Sequence, residues 1–378
     1  MSDFATWFGL QDGKEDFYVL TDRDYQMYFA RNAIDSQLRR LIDEAHRGNN
    51  TLKAVLYGEW GAGKTHTMRH LKHQLESHNS KPGRVVLIDL PDINKKSTFN
   101  DLQYTLLNDI GFEVARDWIK QFNTRHNDAE KRVKAFTGSS DITKALLTLG
   151  VFGDAAQVAW AWLGGSNIGN EGRSVGLPPT ITQSKTFTMI LRMLGQLSDE
   201  CDGKRLTYMI DEADKLENIT DDDAVNQWVE CVKELADINN DECGLVFSAG
   251  FTDIDLMPKM LKEQQVQTRF TQGHYIVLHS FQIPETEDFL RSLFSAWIDG
   301  PKRTQIMKDH GGEADGESLT PTTFPFTDQS LALFAQHLCR NAVTSPRDIQ
   351  AGLHTAINYA IDANRHILSS SFLQTCPW

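Results

Sequence analysis

The chain has 378 residues, 40% of them hydrophobic, enough to bury a large core and to build two or three domains. Its formal net charge of −13 argues against a surface made to wrap nucleic acid, while leaving room for a local basic channel. The five cysteines, Cys201, Cys231, Cys243, Cys339 and Cys376, are scattered and never spaced as C-x-x-C, so they indicate neither a disulfide framework nor a zinc site, and a reducing compartment is expected.

In chain order, residues 1–31 are acidic and aromatic, with Phe17, Tyr18, Tyr25, Tyr28 and Phe29 close together. The segment lacks the basic and apolar blocks of a signal peptide, so export is not expected and a cytoplasmic location is. A helix over 33–45 is stopped by Gly48-Asn49-Asn50. The apolar run 52–57 then reads as a buried strand, and Met68, Leu71 and Leu75 follow at helical spacing. Between them lies Gly58-Glu59-Trp60-Gly61-Ala62-Gly63-Lys64-Thr65, of the form G-x-x-x-x-G-K-[ST], followed by His66. A loop that joins a strand to a helix N-terminus turns successive N–H groups around phosphate oxygens, which requires glycines and gains from the helix dipole. Lys64 supplies charge to the β- and γ-phosphates, and the Thr65 hydroxyl is a magnesium ligand.

Residues 84–90 form a second unalternating apolar strand closed by Pro91-Asp92, which fits a doubly wound parallel sheet buried on both faces. A helical insert follows over about 97–179, with helical patterns at 99–122 and 142–163, and a mixed-charge link holding Lys131, Arg132 and Lys134 that reads as a solvated face. A polar, glycine-rich stretch covers 164–176. The longest apolar stretch, 145–164, carries Asp154 and Gln157 and reads as a buried helical hairpin rather than a membrane span.

Strand 206–210 ends in Asp211-Glu212. At a phosphate loop this pair assigns Asp211 to the magnesium ion and Glu212 to the attacking water. Residues 275–278 are the last strand, 286–298 the first helix of a C-terminal lid, and 300–325, with Gly311-Gly312 and three prolines, a long loop. Helices over 328–340 and 347–365 complete the lid, the latter started by Ser345-Pro346.

This order of parts resembles the AAA+ ATPases, and within them the clade of replication initiators, origin-recognition proteins and transposition regulators. The likeness is carried by GEWGAGKT at 58–65, IDEADKL at 210–216, LVFSAG at 245–250, VQTRFTQGHYIVL at 266–278 and SPRDIQAGL at 345–353. It covers about 31–360, with the insert unmatched. The resemblance implies an AAA+ nucleotide-binding domain over 32–282 and a helical lid over 283–378, with segment 1–31 near the adenine. It makes Ser248 the sensor-1 group, Arg269 an arginine finger reaching a neighbouring subunit, and Arg347 the sensor-2 arginine. ATP and Mg2+ are the implied cofactors, and a homo-oligomer, ring or filament, is the implied assembly. The AW-x-W-L-G-G element at 159–165 also resembles bacterial P-loop proteins associated with phage exclusion. No helix-turn-helix module is expected beyond the lid, where about a dozen residues remain. DNA contact is therefore expected, if at all, through the core or the insert.

The expected function is an ATP-hydrolysing switch that couples its nucleotide state to DNA or a partner enzyme in a mobile-element or defence setting. The alternative is a nucleotide-locked scaffold with little turnover and no DNA role. A kinase acting on a small molecule is weaker, since nothing in the sequence supplies a substrate pocket.

Overall fold

The structure, a computed structural model, describes residues 4–11, 32–46, 52–78, 82–151, 153–238, 243–270, 274–340 and 343–377. Its internal contacts divide it into two units, one comprising Met1–Asp35, Glu59–His70 and Leu278–Trp378, the other Ser36–Gly58 and Leu71–Val277. The aromatic group from Phe17 to Phe29 lies outside the described residues.

The larger unit is built on a five-stranded sheet of β1 (Lys53–Gly58), β2 (Arg84–Asp89), β3 (Leu206–Asp211), β4 (Cys243–Ala249) and β5 (Tyr275–Leu278). Its last residue, Leu278, is counted with the smaller unit. The strand order is β2-β3-β4-β1-β5, and β2–β3, β3–β4 and β1–β4 all pair in parallel. Every residue of β3 and β4 is buried, as unbroken apolar runs in the middle of a parallel sheet require. The doubly wound α/β arrangement expected from the sequence is present.

The helix Ser184–Asp202 carries much of the packing in this unit. Phe187, Ile190, Leu191, Leu194 and Leu197 on it are fully buried, and Phe187 stacks on Phe99 with ring centroids 5.9 Å apart. The insert is fastened to the end of the same helix. Trp118 Nε1 donates to Asp202 Oδ2 at 2.8 Å, and His126 bonds Glu200.

Each long helical pattern of the insert is divided by glycine. Gly111, at φ 89°, separates Phe99–Ile110 from Phe112–Arg125, and Gly153, at φ 96°, precedes Asp154–Leu163 after Ser140–Leu149 ends. Side chains with a Cβ avoid that region of φ, so these are helix boundaries and not mid-helix residues. The mixed-charge link is itself a helix, Ala129–Thr137, with Lys131, Arg132 and Lys134 exposed around a buried Val133. Among the described residues, no helix is long and apolar enough to cross a membrane.

The smaller unit has its own core, in which Phe8 from the helix Phe4–Phe8 joins Leu290, Phe294 and Trp297 of Ile283–Trp297, Leu331 and Phe334 of Asp328–Leu338, and Ile349, Leu353 and Ile357 of Pro346–Asp362. One expectation is corrected here. Residues 300–325, read as a long loop, contain the helix Gly300–His310 and a 3-10 turn, Gly311–Ala314. That helix has no fully buried residue and therefore shows no apolar stripe. Its start was nonetheless written in the chain: Asp299 accepts from the Lys302 N–H, and Pro301 stands within the first turn.

Candidate functional site

Parallel strands deliver their carboxyl ends to one edge of the sheet, where open α/β sheets place their ligands. β1 ends there in Gly58, the first residue of the phosphate loop, β3 in Asp211, and β4 carries Ser248 one residue from its end. Ile210 lies opposite Phe247, so Asp211 and Ser248 are the next residues along adjacent strands, and Ser248 also lies opposite Leu56 of β1.

Asp211 is 2% exposed and Ser248 0%. Asp211 Oδ1 accepts the Glu212 N–H at 2.9 Å, but Asp211 Oδ2 and Ser248 Oγ are buried without a hydrogen-bond partner among the described residues. Burial of an unpaired polar atom costs about 1–3 kcal/mol, and more for a charged one, so native proteins keep few of them. Other buried polar atoms, Thr188 Oγ1 and Trp162 Nε1 among them, are also unpaired, but Asp211 Oδ2 and Ser248 Oγ lie together on neighbouring strand ends, where a polar ligand would pair with both. A carboxylate oxygen without a partner also fits a hard cation, which takes oxygen donors.

Glu212 adopts a left-handed conformation, φ 56°, which costs a non-glycine residue roughly 1–2 kcal/mol. Its Oε2 lies 2.8 Å from Lys215 Nζ, which also donates to the Leu90 carbonyl at 2.8 Å and stands 3.4 Å from Asp92 Oδ1. Burial alone would lower the Lys215 pKa, and the bonds to Glu212 and Asp92 carry it above the ordinary lysine value. Asp214 Oδ1 accepts the Gly250 N–H at 2.9 Å and so ties the turn after β3 to the end of β4.

In the smaller unit the phosphate loop turns at Gly61 (φ 82°) and Gly63 (φ 90°). At Gly61 a Cβ would lie 3.0 Å from Ser345 Oγ and 3.1 Å from Arg347 Cβ, so glycine is needed for space as well as for torsion. Ala62 N–H donates to Glu59 O at 3.1 Å, and Lys64 Nζ reaches the same carbonyl at 2.9 Å. Lys64, Thr65 and His66 open the helix Lys64–Glu76, whose next residue, Thr67, bonds Gly63 O through both N–H and Oγ1. Ser280 Oγ donates to Glu59 Oε2 at 2.9 Å.

The lid helix Pro346–Asp362 meets this loop. Ser345 caps it by accepting the Asp348 N–H at 3.1 Å, and the Arg347 guanidinium lies 5.1 Å above the Trp60 ring, itself 69% exposed. The structure thus brings Arg347 to the phosphate loop within one unit, and Asp211, Glu212 and Ser248 to one sheet edge in the other. Arg269 joins neither group. Its Nε donates to Asp237 Oδ1 at 2.5 Å and its Nη1 to Gln265 O at 2.5 Å, leaving the side chain 28% exposed.

Sequence reasoning passed over Lys215, Asp214 and Trp60 as structural partners. Lys215 was readable in IDEADKL, where it stands one helical turn after Glu212. The Trp60 to Arg347 contact spans almost three hundred residues and leaves no local signal.

A phosphate loop leading from strand to helix, with an acidic pair ending the strand two places away in a parallel sheet, defines a P-loop nucleotide-binding α/β protein. The sequence matches a family model described as AAA domain over residues 47–249, more than half of the chain, and the protein belongs to that family. Its fold is similar to that of the Aeropyrum pernix ORC2 protein in its ADP form, at 11% identity and a TM-score of 0.50, covering 99% of this chain and 71% of that one. The ADPNP-ADP complexes of the same protein align with a TM-score of 0.49 at 12% identity, covering 94% and 71%. Domain III of the Thermotoga maritima replication initiation protein DnaA aligns with 0.41 at 11% identity, covering 94% and 95%. No curated protein matches the sequence.

Because the Ser248 hydroxyl has no partner to lose, Ser248→Ala is expected to leave the nucleotide-free protein as stable as wild type, or up to about 1 kcal/mol more stable. Chemical denaturation checks this. A loss above about 1 kcal/mol would make Ser248 a structural residue.

Proposed function

We infer that the protein is an ATP-binding and ATP-hydrolysing AAA+ switch that works as an oligomer, ring or filament, in the cytoplasm. In this reading it couples nucleotide state to DNA or a partner effector in a mobile-element or defence system. The observation that carries the reading is the buried, unpartnered Asp211 Oδ2 at the carboxyl edge of a sheet whose first strand opens into a complete phosphate loop. That the fold is shared with an ADP-bound ORC2 protein is consistent with it.

The residues divide the work as their chemistry allows. The loop from Gly58 to Thr65 and the N-terminus of the helix Lys64–Glu76 hold the phosphates, with Lys64 as the charge beside them. Thr65 and Asp211 would hold Mg2+, which when bound neutralises phosphate charge. Glu212 orients and deprotonates the attacking water, Ser248 donates to the γ-phosphate region, and Arg347 reads the phosphates from the lid. Arg269 supplies a cation to the neighbouring subunit once it leaves Asp237.

A second reading, the nucleotide-locked scaffold, is favoured by one feature. Glu212 and Arg269, the two groups assigned to turnover, are each held in an ion pair within this chain, by Lys215 and Asp237. A scaffold would keep them so.

Lys64→Ala is expected to lose ATP retention, whereas Glu212→Gln retains ATP and hydrolyses it about 10²–10⁴-fold more slowly. Hydrolysis by Glu212→Gln at the wild-type rate would transfer the protein to the scaffold reading. Light scattering is expected to show ATP-dependent assembly, with Arg269→Ala assembling normally but turning over at least tenfold more slowly. A monomer at every concentration, with Arg269→Ala fully active, removes the oligomer. DNA coupling predicts an ATPase rate stimulated by duplex or single strands and less so at higher salt. A rate indifferent to both nucleic acids points instead to a protein client.

A further inference from the structure

Away from the phosphate loop, the smaller unit gathers two imidazoles and a carboxylate. His310 ends the helix Gly300–His310, Glu313 lies in the 3-10 turn that follows, and His366 comes after the helix Pro346–Asp362. His310 Nδ1 is 2.9 Å and His366 Nδ1 3.7 Å from the same oxygen, Glu313 Oε1. All three candidate donor atoms lie within 4.8 Å of one another.

The surroundings of the cluster hold these groups in place. Glu313 Oε2 accepts the N–H groups of His366 at 2.6 Å and Ile367 at 3.1 Å, which leaves Oε1 to face the rings. Arg365 Nη2 donates to the Glu313 carbonyl at 2.9 Å. On the far side of His366 the Trp7 indole stacks at 4.2 Å and 11°, anchored by its Nε1–H to the Arg365 carbonyl at 3.0 Å. The bonds orient the Glu313 carboxylate and the stacking holds the His366 ring, as outer contacts do for metal ligands.

The second observation is the His366 Nδ1 atom itself, which is buried and has no hydrogen-bond partner among the described residues although a carboxylate oxygen lies beside it. At 3.7 Å an Nδ1–H would not reach the carboxylate as a hydrogen bond, and a bare Nδ1 would face it with a lone pair, whereas a metal ion between the two atoms bonds both. Two neutral imidazoles and one carboxylate make a ligand set for a borderline divalent ion.

We propose that His310, Glu313 and His366 form a zinc site, with water in the fourth position, that ties the turn after Gly300–His310 to the segment following Pro346–Asp362. The two rings are stacked, with centroids 3.6 Å apart at 20°, so His310 must turn about its side-chain bonds to present Nδ1 in its own plane. At 35% exposure it has room to do so, while His366, at 16%, stays fixed under Trp7.

The test uses the full-length protein in saturating Mg2+, dialysed against micromolar Zn2+, with bound metal counted by elemental analysis and Co2+ used as a visible-absorption probe. Wild type is expected to take up one more equivalent of Zn2+ than His310→Ala, and Co2+ to give tetrahedral absorption bands that His310→Ala and Glu313→Gln lose. His310→Ala removes a partly exposed ring that bonds Glu313 and stacks on His366, and is expected to fold, while His354→Ala serves as a control that keeps the site. Equal uptake by wild type and His310→Ala, or no Co2+ bands in wild type, overturns the proposal.

Discussion

A backbone that is to close around phosphate has to aim several N–H groups inward at once, and that constraint organises the nucleotide-binding half of this protein. It forces positive φ at Gly61 and Gly63, and at Gly61 it also removes the room a Cβ would need against Ser345 and Arg347. The loop can turn in this way only where a strand ends and a helix begins, so β1 and the helix Lys64–Glu76 are fixed around it. The parallel sheet then follows, because only parallel strands bring Gly58, Asp211 and Ser248 to a common edge.

The stability cost of that edge is visible in the atoms left over. Asp211 Oδ2 and Ser248 Oγ are buried without partners, and Glu212 sits in a backbone conformation that non-glycine residues avoid. Some polar groups elsewhere in the larger unit are bonded, although Thr188 Oγ1 and Trp162 Nε1 are buried without a partner among the described residues. Trp228 Nε1 reaches Ser97 O at 2.9 Å, and the Tyr208 hydroxyl reaches Leu191 O at 3.0 Å. What sets the sheet edge apart is that two unpaired atoms lie on neighbouring strand ends beside a strained Glu212.

Much of this was legible in the chain because the signals were local. The strand runs, the glycines of the loop, the acidic pair at 211–212 and the Ser345-Pro346 helix start each lie within a few residues of what they determine. The helix Gly300–His310 was missed because it buries nothing fully, and amphipathic periodicity cannot report a helix with no apolar face. The pairing of Arg269 with Asp237 and of Arg347 with Trp60 could not be read at all, since each joins segments that meet only after folding. The His310, Glu313 and His366 cluster is of the same kind: two members are three residues apart, and the third comes from the segment after the helix Pro346–Asp362.

The cation over the Trp60 ring has an optical consequence. An indole that is 69% exposed and covered on one face by a guanidinium reports, through its emission, whether that guanidinium stays. The attraction is worth about 0.5–1 kcal/mol at such an exposed position, no more than a couple of times thermal energy. Any guest that draws Arg347 away must therefore outbid only this weak hold, and the protein carries its own lamp to show when that has happened.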